Sequence, residues 1–231
     1  MVLTYMVMLC LIFDTRYPEY LQLVNHSKRR KSALKIYTYP KSRSLRVLWT
    51  LEEIGAPYES VKVDLLSPNP SMESPHPRGK VPFFTDEDIS ISETLAICVY
   101  LCERHTDEAL YPTKIEKKAT VNSWLSFALT DLETPVWSLL KQLIYVPENQ
   151  RSPDLLNYFR SEASKAVSQV NLNENYKWIT GENFTLADIF MSHTLLWAKL
   201  CRIPMDKSIE HYIDRAMNRP AFLRAQEKNN L

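Results

Sequence analysis

Residues 77–84 read PRGKVPFF, Pro77 through Phe84. Val81, Phe83 and Phe84 have the pattern of a buried strand, yet Pro82 stands among them with no N–H to give a sheet ladder. Gly79, just upstream, is one of only three glycines. Average usage of about 7% would supply roughly sixteen. Each glycine is therefore expected to meet a backbone need: a helix end at Gly55, the turn into Lys80-Val81-Pro82 at Gly79, and the approach to a capped helix at Gly181.

Outward from this stretch, the first half alternates strand and helix. LKIYTYP (34–40) carries β-branched and aromatic residues in alternation and reads as a short strand ending at Pro40. In SRSLRVLWTLEEIG, apolar residues recur at helical spacing; Ser42 or Ser44 can cap its start, and Gly55 closes it. YESVKVDLL (58–66) reads as a second strand with Val61, Val63 and Leu65 on one face. Prolines at 68, 70, 75 and 77 leave no room for a regular helix in 67–78. KVPFFT and ISIS (89–92) form a plausible hairpin, and ETLAICVYLCERH (93–105) is a helix apolar almost all round, expected to be buried. The order β-α-β-irregular-β-β-α predicts a small mixed sheet with helices on both sides, as in thioredoxin-like domains.

From Lys114 the strand signals vanish. The pattern 115–145 is helical, with Pro135 expected to kink or interrupt it. SPDLLNYFRSEASKAVSQVNLNENY begins with Ser152 as cap and Pro153 at the first helical position. TLADIFMSHTLLWAKL opens with Thr185 and Asp188 in capping-box spacing. A last amphipathic piece carries Ile209, Tyr212, Ile213, Ala216 and Met217. The expected organisation is an extension over 1–33, a thioredoxin-like α/β domain over 34–109, and an all-α helical bundle over 114–231.

Composition narrows the function. The 231 residues are 45% hydrophobic and carry 28 Lys+Arg against 27 Asp+Glu. A core is affordable, and nothing points to nucleic acid or an anionic membrane surface as main partner. The basic run Lys28-Arg29-Arg30-Lys31 reads as a solvated tail segment. Cys10, Cys98, Cys102 and Cys201 form no C-x-x-C pair, and the histidines have no ligand spacing, so no metal is expected and the thiols read as free in a reducing cytosol. The apolar run Val2 to Phe13 falls short of the roughly 18 residues of a membrane span. It also lacks the flanks of a secretory signal. A cytoplasmic location is the expectation.

YPKSRSLRVLWTLEEIG, GKVPFF, SETLAICVYL, FTLADI and RPAFLRA fall in the order and spacing of the cytosolic glutathione transferase superfamily, which the chain resembles from Leu34 to about Lys228. The serine-containing first turn is most similar to serine-type bacterial and fungal members related to the theta and zeta classes. The resemblance implies a cis Pro82, with the Val81 main chain pairing with the cysteinyl part of glutathione. It implies that Glu93 and Thr94 hold the γ-glutamyl end, where the family usually has serine in place of Thr94, and that Lys80 meets the glycyl end. Ser42 aligns with the serine that stabilises the thiolate, and Ser44 is the second choice. Arg43 falls where some relatives have cysteine, which argues against mixed-disulfide chemistry. Tyr39 is a weaker phenol donor. Trp124, Phe127 and Ala128 are candidates for the electrophile pocket. Thr185 and Asp188 are structural.

The implied activity is conjugation of glutathione to apolar electrophiles by a homodimer, with glutathione as co-substrate and no cofactor. The alternatives are a non-catalytic binding or assembly module, a zeta-like isomerase (whose SSC-like first turn Lys41-Ser42-Arg43 does not match) and a peroxidase. Leu34, where the folded pattern begins, is a hypothetical translational start. Mass spectrometry of the native N-terminus finding residues 1–33 intact would end that hypothesis.

Overall fold

The computed structural model describes residues 34–230. The apolar run at 2–13, the basic run at 28–31, Cys10 and the extension reading of 1–33 lie outside them. Strand β1 (Leu34–Thr38) leads into helix α1 (Ser44–Ile54), which ends at Gly55 in the left-handed region, φ 72°. Strand β2 (Tyr58–Lys62) returns parallel to β1, and the hairpin β3 (Phe83–Asp86) and β4 (Ile89–Ser92) completes a sheet of order β2-β1-β3-β4. β1 pairs antiparallel with β3, placing Ile36 opposite Phe84 and Tyr37 opposite Phe83. This is the expected thioredoxin-like mixed sheet. Helix α2 (Thr94–Arg104) follows β4 directly.

Three local readings are corrected. β2 ends at Lys62, and Leu65 is exposed. Its partner among the described residues, β1, stops opposite it at Thr38, so the ladder has nothing further to pair with there. α2 buries one face only, Thr94, Ile97, Cys98, Leu101 and Cys102, while Ala96 is exposed. α1 and α2 pack against one another and no helix forms between β2 and β3, so among the described residues the expected helices on both sides of the sheet are not seen.

The remainder is helical: α3 (Ile115–Phe127), a π-helical turn at Ala128–Leu132, α4 (Glu133–Tyr145), α5 (Pro153–Ser168), α6 (Leu186–Leu200), α7 (Lys207–Met217) and α8 (Pro220–Asn230). Pro135 interrupts the long helix as expected, but the break lies upstream of it. A proline ring crowds the carbonyl four residues back, here Asp131, and a widened turn over 128–132 relieves that contact. α5 stops at Ser168, short of the expected run to Tyr176, because the following Asn-rich stretch has weak helix propensity. The helix α8 had been legible only as the RPAFLRA motif.

The two parts share one core. Trp49 of α1, fully buried, meets Phe222 of α8 at 4.8 Å and Phe184 at 5.5 Å between ring centroids. Arg219 clamps Glu53 of α1 through two bonds of 2.6 and 2.7 Å, and Arg224 and Lys228 meet Glu52. A forked pair of this kind fixes orientation as well as energy. The motif RPAFLRA is thereby explained: its arginines and phenylalanine bolt the last helix onto α1.

Asp188, fully buried at the start of α6, accepts from the amides of Ile179 (2.9 Å) and Thr185 (2.8 Å) and from the hydroxyls of Thr185 (3.0 Å) and Tyr212 (2.9 Å). The capping box is present, and the carboxylate also serves as a hub for three segments. Replacing it orphans several buried donors at once. Asp188→Ala is expected to lower the unfolding free energy by about 3 kcal/mol. Urea unfolding reads this as a lower midpoint at unchanged slope; a midpoint within error of the parent contradicts it.

Candidate functional site

A cleft of about 540 Å³ opens between the end of the sheet and the π-helical turn. From the first part of the chain it is lined by Arg43, Arg46, His76, Lys80, Val81, Pro82, Glu93, Thr94 and Leu95. Leu129, Glu133 and Trp137 line the other side. Five of the residues singled out in the sequence, Lys80, Val81, Pro82, Glu93 and Thr94, are thus brought together.

The Val81–Pro82 peptide bond is cis. Gly79, at φ 61°, turns the chain ahead of it, and β3 starts only at Phe83. Among the described residues the Val81 amide and carbonyl have no hydrogen-bond partner. A half-buried peptide group with both valences free is an edge on which an extended ligand can pair. Beside it, Glu93 takes φ 71°, rare for a residue with a side chain. It immediately precedes α2, whose first residue, Thr94, brings a hydroxyl and the positive end of a helix. The Glu93 carboxylate meets Arg78 at 2.8 Å, both side chains being largely exposed, a pair of little energetic weight. Lys80 is exposed at the cleft edge.

Ser42 and Ser44 lie at the start of α1. The Ser42 hydroxyl is 2.6 Å from the Tyr39 carbonyl and 2.9 Å from the Ser44 hydroxyl, and accepts from the Ser44 amide at 3.1 Å. A hydroxyl has one proton, so it donates to one of these oxygens at a time. Ser44 is fully buried and Ser42 half-buried. Neither is among the residues lining the cleft; Arg43, between them, is. The expected serine cap on α1 takes the form of a tight local turn: the residue before the helix is Arg43, which makes no side-chain cap.

Trp124, Phe127 and Ala128 are not brought to the cleft. Ala128 is buried in the core, and the Trp124 and Phe127 rings pack edge-to-face at 5.8 Å. The π turn shifts the helical register, so the wall is made by Leu129, Glu133 and Trp137 instead.

Sequence reasoning missed the charged cluster behind this wall. Glu133, nearly buried, meets Arg43 Nε at 2.5 Å and Arg46 Nη2 at 2.7 Å. Arg46 is fully buried; its Nε donates to His193 Nδ1 at 3.0 Å and its Nη2 to the Thr194 hydroxyl at 2.9 Å. Burial first, then the charges of Arg46 and Arg43, hold the His193 imidazole neutral, well below its ordinary range. Burial pushes the Glu133 carboxyl up, but the attraction of Arg46 and Arg43 outweighs it and leaves the group below the usual glutamate value. The signal was present in the sequence as arginines three apart at the start of a helix, but their acidic partner lies ninety positions away. His76, buried beside Phe83 with Nδ1 accepting from the Arg78 amide at 2.9 Å, was missed in the same way.

The family model described as "Glutathione S-transferase, N-terminal domain" matches residues 36–109. Glutathione S-transferase F13 of Arabidopsis thaliana is 28% identical over 207 residues, 83% of this chain and 94% of the plant protein. Glutathione S-transferase GstA of Escherichia coli O157:H7 is 27% identical, over 81% and 94% of the two chains. Among solved structures, a glutathione S-transferase of Actinobacillus pleuropneumoniae superposes with a TM-score of 0.68 at 25% identity, covering 85% of this chain and 93% of the other. A glutathione transferase family member of Pseudomonas fluorescens, solved with two glutathione bound, has a TM-score of 0.75 at 21% identity, over 88% and 96%.

Because the Glu133 carboxyl is depressed in the fold, its contribution to stability is present above about 4.5, the ordinary value, and is lost as pH falls through the depressed one. Glu133→Gln removes that dependence, so its stability is expected to vary less with pH on the acid side. The variant also loses about 3–5 kcal/mol near neutrality, since a buried arginine is left without its anion. Urea midpoints measured from pH 3 to 7 check both; equal acid slopes in the two proteins contradict the assignment.

Proposed function

The chain belongs to the cytosolic glutathione transferase superfamily, and from that premise we propose how its cleft works. Its activity is glutathione transfer to an electrophile. Glutathione is the co-substrate and no cofactor is invoked. The observation that carries the reading is the free Val81 peptide group standing beside Glu93 and Thr94 in one cleft. Glutathione is a peptide with a free α-amino acid at one end. Val81 pairs with its cysteinyl main chain, the Glu93 carboxylate accepts from its α-ammonium, and the Thr94 hydroxyl with the α2 N-terminus receives its α-carboxylate. Lys80 meets the glycyl carboxylate.

The chemical step needs thiolate. A free thiol has a pKa of about 8.5, so little is ionised near neutrality. Lowering it by two units takes about 2.7 kcal/mol of preferential stabilisation. One hydroxyl bond to an anion supplies about 1.5–3 kcal/mol, and the start of α1 adds its positive end. Ser42 is the assigned donor. Its partial exposure, against the complete burial of Ser44, supports that choice. To donate to a thiolate it turns from the Tyr39 carbonyl, and Ser44 stays behind as its neighbour. Leu129 and Trp137 take the place first given to Trp124, Phe127 and Ala128 on the electrophile side. The thiolate then attacks, a C–S bond forms, the leaving group departs, and the thiol proton has already gone to solvent.

A glutathione-binding unit over 34–109, a helical unit over 114–231, a homodimeric assembly and a cytoplasmic location belong to the same proposal. Among the described residues no helix is long and apolar enough to cross a membrane.

Ser42→Ala is expected to lower kcat for conjugation of a generic aryl halide by about 10–100-fold at pH 7, with the midpoint of the pH–rate profile moved upward and glutathione binding kept. Stopped-flow or steady-state absorbance measures it. Unchanged conjugation in Ser42→Ala, with loss in Ser44→Ala alone, reverses the assignment.

A further inference from the structure

The glutathione side of the cleft is balanced in charge. Lys80, Glu93 with its partner Arg78, and the N-terminus of α2 answer the two carboxylates and one ammonium that the proposed function assigns to this side. The opposite side is not balanced. There Arg43 and Arg46 share the single carboxylate of Glu133, and His193 beside them is neutral. One positive charge is left over in a place where charge is expensive.

The donors are left over as well. Arg46 Nη1 is buried and has no hydrogen-bond partner, a condition that calls for an explanation in a folded protein. Arg43 uses only Nε, toward Glu133; neither of its Nη groups is hydrogen-bonded among the described residues. Its side chain is 29% exposed and its guanidinium carbon lies over two indoles, 4.6 Å from the Trp137 ring centroid and 5.1 Å from that of Trp197. A guanidinium fixed by an ion pair on one edge and aromatic faces beside it presents its remaining fork at little entropic cost.

We propose that the electrophile side of this cleft is an anion site: Arg43, backed by the buried charge of Arg46, selects an apolar electrophile that carries a carboxylate. Arg43 makes the contact through its free Nη groups. Arg46, wholly buried, acts by its field rather than by touch. Leu129 and Trp137 take the apolar body of the same molecule. Glutathione conjugation of such an electrophile balances as an ordinary substitution: the C–S bond forms, the C–Cl bond of a chloroarene breaks, chloride leaves and the thiol proton passes to solvent. The inference rests on the transferase reading above, which fixes the other side of the cleft as the glutathione side.

The test uses 4-chloro-3,5-dinitrobenzoate and its uncharged amide, 4-chloro-3,5-dinitrobenzamide, on the full chain at fixed saturating glutathione. The expected KM for the acid is at least about tenfold below that for the amide. In Arg43→Gln the ratio falls toward one, and in Arg43→Lys, which keeps charge but loses the fork, it is partly restored. Equal KM values in the parent overturn the anion site and leave the transferase reading standing. So does a ratio that survives Arg43→Gln, or an unchanged ratio with a raised pH midpoint, which would give the charge to the thiolate. If neither compound turns over, the transferase reading fails. Calorimetric binding of 3,5-dinitrobenzoate against 3,5-dinitrobenzamide then decides the anion site alone, tighter acid binding lost in Arg43→Gln supporting it and equal binding refuting it.

Discussion

One buried carboxylate, Glu133, holds the cleft in shape. It reaches across from the first residue of α4 to two arginines at the start of α1, at 2.5 and 2.7 Å. The π-helical turn at 128–132 is what delivers it there, together with Leu129 and Trp137. Taking Glu133 and Arg46 out of water, and Arg43 in part, costs on the order of several kcal/mol per buried ion before pairing, so this cluster is weak as a source of stability and strong as a geometric constraint. Arg43 ties the cluster to the loop that carries Ser42, and Arg46 ties it to α6 through His193 and Thr194. The turn that carries Ser42 and Ser44 and the helical wall therefore keep a fixed separation.

The opposite wall is made by interruption. The sheet does not continue through Val81 and Pro82, and that is why a peptide group is left unpaired at the cleft edge. Glu93 departs from ordinary backbone geometry at the last residue before α2, and Thr94 starts the helix at once. Three ways of meeting a peptide's polar groups are thus gathered within a short stretch: a free main-chain edge, an acid and a helix start. On the other wall stand cations, aromatic faces and one leucine. In the proposed function this asymmetry becomes a division of labour between a zwitterionic peptide on one wall and an electrophile on the other.

Much of this was legible in the amino acids. The turn at Gly79, the hairpin after Pro82, the end of α1 at Gly55 and the box of Thr185 and Asp188 are local features, written in adjacent residues. The cleft residues Lys80 to Thr94 came from the family resemblance, and the hairpin β3–β4 is what brings them together in the fold. The helical wall was not. Trp124, Phe127 and Ala128 fit a continuous helix, but Pro135 widens the turn before it and rotates the register away from them. Nor could one sequence pair Arg46 with Glu133 and His193, because nothing local links positions so far apart. The stopping point of β2 and the one-sided burial of α2 likewise depend on what each element finds to pair with. FTLADI and RPAFLRA stood out as motifs, yet their meaning, a buried carboxylate hub and a clamp on Glu53, is tertiary.

The proposed function requires glutathione to lie along the edge from Lys80 to Thr94. A crystal structure of the chain soaked with glutathione tests that most directly. The predicted result is density in which the cysteinyl amide and carbonyl pair with those of Val81, the γ-glutamyl ammonium meets Glu93, and the sulfur points toward the start of α1. Glutathione bound elsewhere, or along this edge with its γ-glutamyl end away from Glu93 and Thr94, would contradict the account.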